Sequence, residues 1–134
     1  MKNFVIAMSL LLASSSAWAY SPTIVELPSQ YKAEQVDAIL HSIDFRQLAW
    51  EADKSVPGVI DKSVPTAPKL RVGFHFQPLV FHSFLGKADH VALRIDIHAP
   101  PNWAGESKLQ AFLASYLEKR FPGAKTTDTA LHGI

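Results

Sequence analysis

The chain has 134 residues, no cysteine and a formal net charge of +1 with its histidines neutral. That composition excludes a disulfide framework, thiolate metal sites and lipid attachment through an N-terminal cysteine. A near-neutral chain without a basic block also carries no electrostatic footprint for nucleic acid and no polybasic membrane patch.

Residues 1–19 read as a secretory signal peptide. Lys2 gives a positive start, Phe4 to Ala13 is apolar except for Ser9, and Ala17-Trp18-Ala19 is a small-x-small cleavage site. The apolar run is too short to span a bilayer, which takes roughly 20 such residues. No twin arginine is present, so export by the Sec route and cleavage after Ala19 are expected. Residues 20–134 would then be a single domain in a bacterial periplasm or outside the cell, without a stable membrane anchor. Cleavage removes one of the 13 Lys and Arg and brings them level with the 12 Asp and Glu.

Thr23 to Leu27 is β-branched and predicts an edge strand or an extended arm. Ser29 is placed to cap a helix starting near Gln30 or Tyr31, with Val36, Ile39, Leu40 and Ile43 as its apolar stripe. The stripe changes phase at Asp44, which predicts a kink or a second short helix capped by Asp44 and carrying Phe45, Leu48 and Ala49 beside Trp50. Residues 53–69 read as a Pro-rich loop. It repeats Asp53-Lys54-Ser55-Val56-Pro57 as Asp61-Lys62-Ser63-Val64-Pro65, which is too short a unit for a solenoid.

Leu70, Val72, Phe74 and Phe76 alternate with polar residues, as a half-buried strand does. Pro78 predicts a bulge or turn, and Leu79 to Leu85 a second strand. After a turn at Gly86 to Asp89, Val91, Leu93, Ile95 and Ile97 alternate with His90, Ala92, Arg94, Asp96 and His98. A turn that short makes its two strands antiparallel. Asn102 or Gly105 opens a last helix whose stripe is Leu109, Phe112, Leu113, Tyr116, Leu117 and Phe121. Pro122-Gly123 ends it. Residues 124–134 read as a flexible tail, with a short terminal strand as the alternative. The order predicts an α+β two-layer sandwich: an antiparallel sheet of three to four strands packed on one side by two or three helices.

Chemistry is harder to read. Arg71, His75, Arg94, Asp96 and His98 would form a phosphate-binding or proton-moving face if their strands are adjacent and in register. His82 and His90 would be cross-strand neighbours in a hairpin, giving two metal ligands where zinc wants three or four. No metal, cofactor, Gly-x-Ser-x-Gly elbow or Gly-rich phosphate loop is signalled. Val72 to Leu85 is rich in phenylalanine and has no Asp, Glu, Lys or Arg. Helices on one side leave the other side of Leu79 to Leu85 uncovered, so Val80, His82 and Phe84 are candidate partner-binding residues. Trp103, in a Pro-rich turn, is either a fourth or a cap on the core. The reading that follows is an exported protein that binds another protein or a second copy of itself. It would be an envelope-assembly accessory subunit or an inhibitor or immunity-type protein. The alternative is a small hydrolase or phosphate-binding enzyme using the histidine and arginine face.

Overall fold

The computed structural model describes residues 23–63, 69–82 and 89–128. The expected signal peptide therefore lies outside the described residues, as do Phe84 and the tail beyond 128. The elements in chain order are β1 (Thr23–Glu26), α1 (Ala33–His41), α2 (Phe45–Ser55), β2 (Ile60–Asp61), β3 (Lys69–Leu70), β4 (Gly73–Phe81), β5 (His90–His98), α3 (Glu106–Arg120) and β6 (Lys125–Asp128). β4, β5, β1 and β6 form, in that order, a four-stranded sheet, and β2 pairs with β3 in a two-stranded ribbon. Every pairing is antiparallel. Three helices pack against the sheet, which makes the α+β sandwich that the pattern of the sequence predicts.

The helices start where the chain supplies acceptors for their first N–H groups. α1 begins at Ala33, later than Ser29 would place it. Pro28 to Tyr31 closes a turn first, and the Gln35 side chain then accepts the N–H of Lys32 at 3.0 Å. At the phase change the chain makes two helices. The Asp44 carboxylate caps α2, accepting from the N–H groups of Arg46 and Gln47 at 3.1 Å each. Gly105 is the N-cap of α3.

The core lies between the helices and one sheet face. Leu109, Leu113, Leu117 and Phe121 of the α3 stripe are all 0 % exposed. They meet Val25 of β1 and Leu93 and Ile95 of β5, which are equally buried. Burying each such side chain stabilises the fold by about 1.5–3 kcal/mol before entropy is counted.

Four local expectations are corrected. β1 is an interior strand, because Lys125–Asp128 leave the expected flexible tail and pair along it as β6. Part of the expected 53–69 loop is regular, since α2 runs to Ser55 and the β2–β3 ribbon occupies its far end. Pro78 causes no break: β4 runs straight through it, opposite Leu93. It is tolerated because β4 is an edge strand, where half of the backbone N–H groups have no sheet partner. Unbroken alternation then puts Val80 on the same face as Phe76, the helix side, and Leu79 and Phe81 on the other. This reverses the expected facing of Val80.

Candidate functional site

The register meets the condition set for the histidine face. His75 lies opposite Asp96, Gln77 opposite Arg94 and Gly73 opposite His98. The Asp96 carboxylate is the hub. Its Oδ1 accepts from Arg94 Nε at 2.9 Å, and its Oδ2 lies 3.4 Å from His75 Nε2. The His75 and His98 rings stack at 5.9 Å and 13°. Arg71 does not join them. It precedes β4, its N–H donates to the Val59 carbonyl, and its charge acts on Asp61 instead. The side chains of His75 and Arg94 are 57 % and 43 % exposed, so water reaches the cluster freely. The clefts between α2 and α3 and between α2 and the β2–β3 ribbon lie elsewhere.

His82 and His90 are not brought together. Phe81 stands opposite His90 and stacks on it at 5.1 Å. His82 falls beyond the end of β4, 3.4 Å from Asp89, and His90 Nε2 lies 3.9 Å from Glu26 Oε1. Among the described residues no three His, Asp or Glu side chains gather as a metal site.

The candidate partner-binding residues take different positions. Val80 is 47 % exposed although it faces the helix side, and its neighbour Phe81 is 41 % exposed on the other face. His82 is exposed as well. Trp103 is half-buried against the core, and its indole occupies the space where a Cβ on Gly58 or Gly105 would sit. Gly58 has φ +104°, a conformation that glycine adopts without strain.

A feature that sequence reasoning misses is a cleft of about 320 Å³ between α2 and the β2–β3 ribbon. It is lined by Phe45, Arg46, Ala49, Trp50, Ile60 and Leu70. Phe45, Trp50 and Leu70 are 36 %, 39 % and 47 % exposed, three of the five large exposed apolar residues described. Phe45 is held by the Phe76 ring at 5.5 Å. The available signal is helical phase. α2 buries Leu48, Ala49, Ala52 and Asp53, so Phe45 begins that stripe at the helix's N-terminal end and Trp50 lies beside it. A second, larger groove of about 500 Å³ between α2 and α3 sets Gln47, Glu51, Ser115 and Lys119 beside Phe112 and Tyr116.

The floor beneath the first cleft is set by Asp53, which is 6 % exposed. Its Oδ1 accepts from the N–H groups of Gly58, Val59 and Ile60 at 3.0–3.1 Å. Its Oδ2 meets Lys62 Nζ at 2.7 Å. Burial alone would raise its pKa. The Lys62 hydrogen bond, the Ile60 and Gly58 N–H groups and the Lys62 charge outweigh burial and hold it below 3.8. Asp61, the matching residue of the second repeat, is also lowered, chiefly by hydrogen bonds from the Ser63 hydroxyl and N–H.

No protein-family model, curated protein or solved structure shows a significant similarity to this chain.

Proposed function

We propose that this is an exported protein of a periplasm or extracellular space that works by binding another protein, as an envelope accessory subunit or an inhibitor does. One observation carries the reading: Phe45, Trp50 and Leu70 are left exposed around a single cleft with Arg46 on its rim. Large apolar side chains are normally buried, and Trp and Arg are the residues enriched at binding hot spots. At about 320 Å³ the cleft has room for more than one apolar side chain. Arg46 is the only charged one among the described lining residues, so the occupant is a protein segment with an apolar anchor beside a carboxylate.

The test is a photo-crosslinking amino acid at Leu70, on the cleft rim, with the same group at exposed Lys54 as the control. A discrete adduct from Leu70 alone, recovered in the exported fraction and lost in Phe45→Ala/Trp50→Ala with folding intact, is expected. An adduct of twice the chain mass identifies the partner as a second copy. Adducts from neither position, or equally from both, overturn the reading.

The enzyme reading has one observation in its favour, the contact of Asp96 with both His75 and Arg94. A carboxylate can orient an imidazole for proton transfer. Neither of the two clefts described reaches these side chains, and at 57 % and 43 % exposure His75 and Arg94 stand in water. Hydrolysis of a chromogenic ester or phosphate that is lost in His75→Ala would restore this reading, and its absence would end it.

A further inference from the structure

The groove between α2 and α3 lies on the opposite side of α2 from the Phe45–Trp50–Leu70 cleft. Contacts at both ends set the two helices antiparallel. At one end Arg120 Nη2 donates to Ser42 Oγ at 3.1 Å, so the end of α3 meets the start of α2. At the other, Trp103 packs on Gly58 and Gly105, so the start of α3 meets the turn after α2. Buried Leu48 and half-buried Phe112 and Tyr116 form an apolar floor between the helices. Exposed Glu51 stands on the α2 rim and exposed Lys119 on the α3 rim.

These two charges are opposite in sign and do not meet. Among the described residues no ion pair joins Lys119 to Glu51 or to Asp44. Asp44 is already engaged as the cap of α2. Gln47 Nε2 donates to Glu51 Oε2 at 2.9 Å, which draws the Glu51 carboxylate toward the start of α2. Helical side chains lean toward the N-terminus of their own helix, so Lys119 leans toward the start of α3. Between antiparallel helices those two directions converge over the middle of the floor. The groove thus presents one negative group, one positive group and an apolar surface between them. Its volume of about 500 Å³ is within the range of small-molecule sites.

We propose that this groove binds a small zwitterion with an apolar side chain, an amino acid or short peptide whose termini are free. The ligand's ammonium meets Glu51, its carboxylate meets Lys119, and its side chain lies on Leu48 and Phe112. Charge complementarity selects this class. A purely apolar ligand strips water from both Glu51 and Lys119 and gives neither a partner. A fatty acid matches Lys119 alone, and an alkylamine matches Glu51 alone. A ligand with both signs on a short apolar body matches both rims and the floor. The groove shares no lining residue with the Phe45–Trp50–Leu70 cleft, so each proposal stands or falls alone.

The experiment is titration of the isotope-labelled chain with free phenylalanine and with the dipeptide alanyl-phenylalanine, followed by amide chemical shifts. Saturable shifts at Gln47 to Glu51 and Phe112 to Lys119 are expected for at least one of the two, and the tighter binder fixes the ligand's size. Blocking the ligand's amine by acetylation, or its carboxylate by amidation, should each weaken binding at least roughly tenfold. The two rims should be separable. Glu51→Gln should bind free and acetylated ligand alike while still rejecting the amide. Lys119→Met should bind free and amidated ligand alike while still rejecting the acetylated form. Both positions are exposed, and a spectrum unchanged away from the groove shows each variant folded. Glu34→Gln on α1, an equal loss of charge elsewhere, should leave the affinity at its parental value. No saturable shift up to about 10 mM of either ligand would overturn the proposal. So would shifts confined to Phe45, Trp50 and Leu70, or blocks that act equally on parent and variants. Equal binding of the free and the doubly blocked dipeptide would also overturn it, in favour of an internal protein segment.

Discussion

Asp53 shows how much one side chain can hold. It belongs to the first copy of the Asp-Lys-Ser-Val-Pro repeat, and its ion-pair partner Lys62 belongs to the second. The duplicated segment thus folds back on itself, and one carboxylate satisfies three backbone N–H groups of the turn between the copies. The second aspartate does something different, closing a local turn on the Ser63 N–H and hydroxyl. Identical pentapeptides diverge because the first begins inside α2 and the second in the ribbon. Asp53→Ala should destabilise the fold by about 1–3 kcal/mol, the cost of leaving buried donors without an acceptor. The pH dependence has a definite sign. A carboxylate held below its unfolded pKa stabilises the protein above that pKa, and the gain is lost as pH falls through the folded value. The parent's advantage over Asp53→Ala should therefore be full near neutrality and shrink below about pH 4 in denaturant titrations. An advantage unchanged at pH 3 would show that the charge contributes nothing.

At the level of elements, legibility tracks the length and regularity of the hydrophobic pattern. α3 is 15 residues long, and its stripe and its Pro-Gly end are readable from the residues alone, while its start is legible only as Asn102 or Gly105, of which the fold uses Gly105. β5 is equally plain, since Val91, Leu93, Ile95 and Ile97 recur at every second position, with the small, buried Ala92 the one departure from alternation. β4 is not, because Pro78 breaks a central strand but not an edge strand, and nothing local tells the two apart. Reading that one residue as a break inverts the facing of everything after it, Val80 included. β6 is legible only as an option because Lys125 to Asp128 has no apolar alternation, and it is a strand only through pairing with β1. The α3 stripe gives a direct test of the two-layer packing. Leu113 is 0 % exposed at its centre, so Leu113→Ala should cost roughly 2–5 kcal/mol. A denaturant midpoint equal to the parent's would mean that the helix does not cover the sheet.

For the whole molecule, the decisive contacts join residues far apart in the chain, and these are what single-sequence reading reaches least. The cleft is built from Phe45 and Trp50 on α2 and Leu70 on β3, and no local spacing connects them. The histidine face is readable as a set because its members sit on regular strands, but only the register shows that Arg71 is not one of them. Closure of the sheet is the clearest case. β1 opens the described chain and β6 closes it, yet they are neighbours, with β1 held between β5 and β6. β6 is short and polar, so pairing alone gives it little stability. α3 supplies a clasp: Glu118 Oε2 accepts from the Thr126 N–H at 3.0 Å and from the Thr126 hydroxyl at 2.6 Å. A carboxylate thus occupies a backbone donor of the edge strand and ties it to the helix that packs on β1. Removing it should loosen this margin and spare the rest. In Glu118→Ala the amides of residues 125–128 should exchange with solvent about fivefold faster or more, as expected for a loss of about 1 kcal/mol of local stability. Those of Gly73–Phe81, at the opposite edge, should keep their parental rates. Unchanged exchange in β6 would mean that strand pairing alone holds it. A uniform acceleration across both edges would mean that Glu118 supports the whole fold and that β6 does not open by itself.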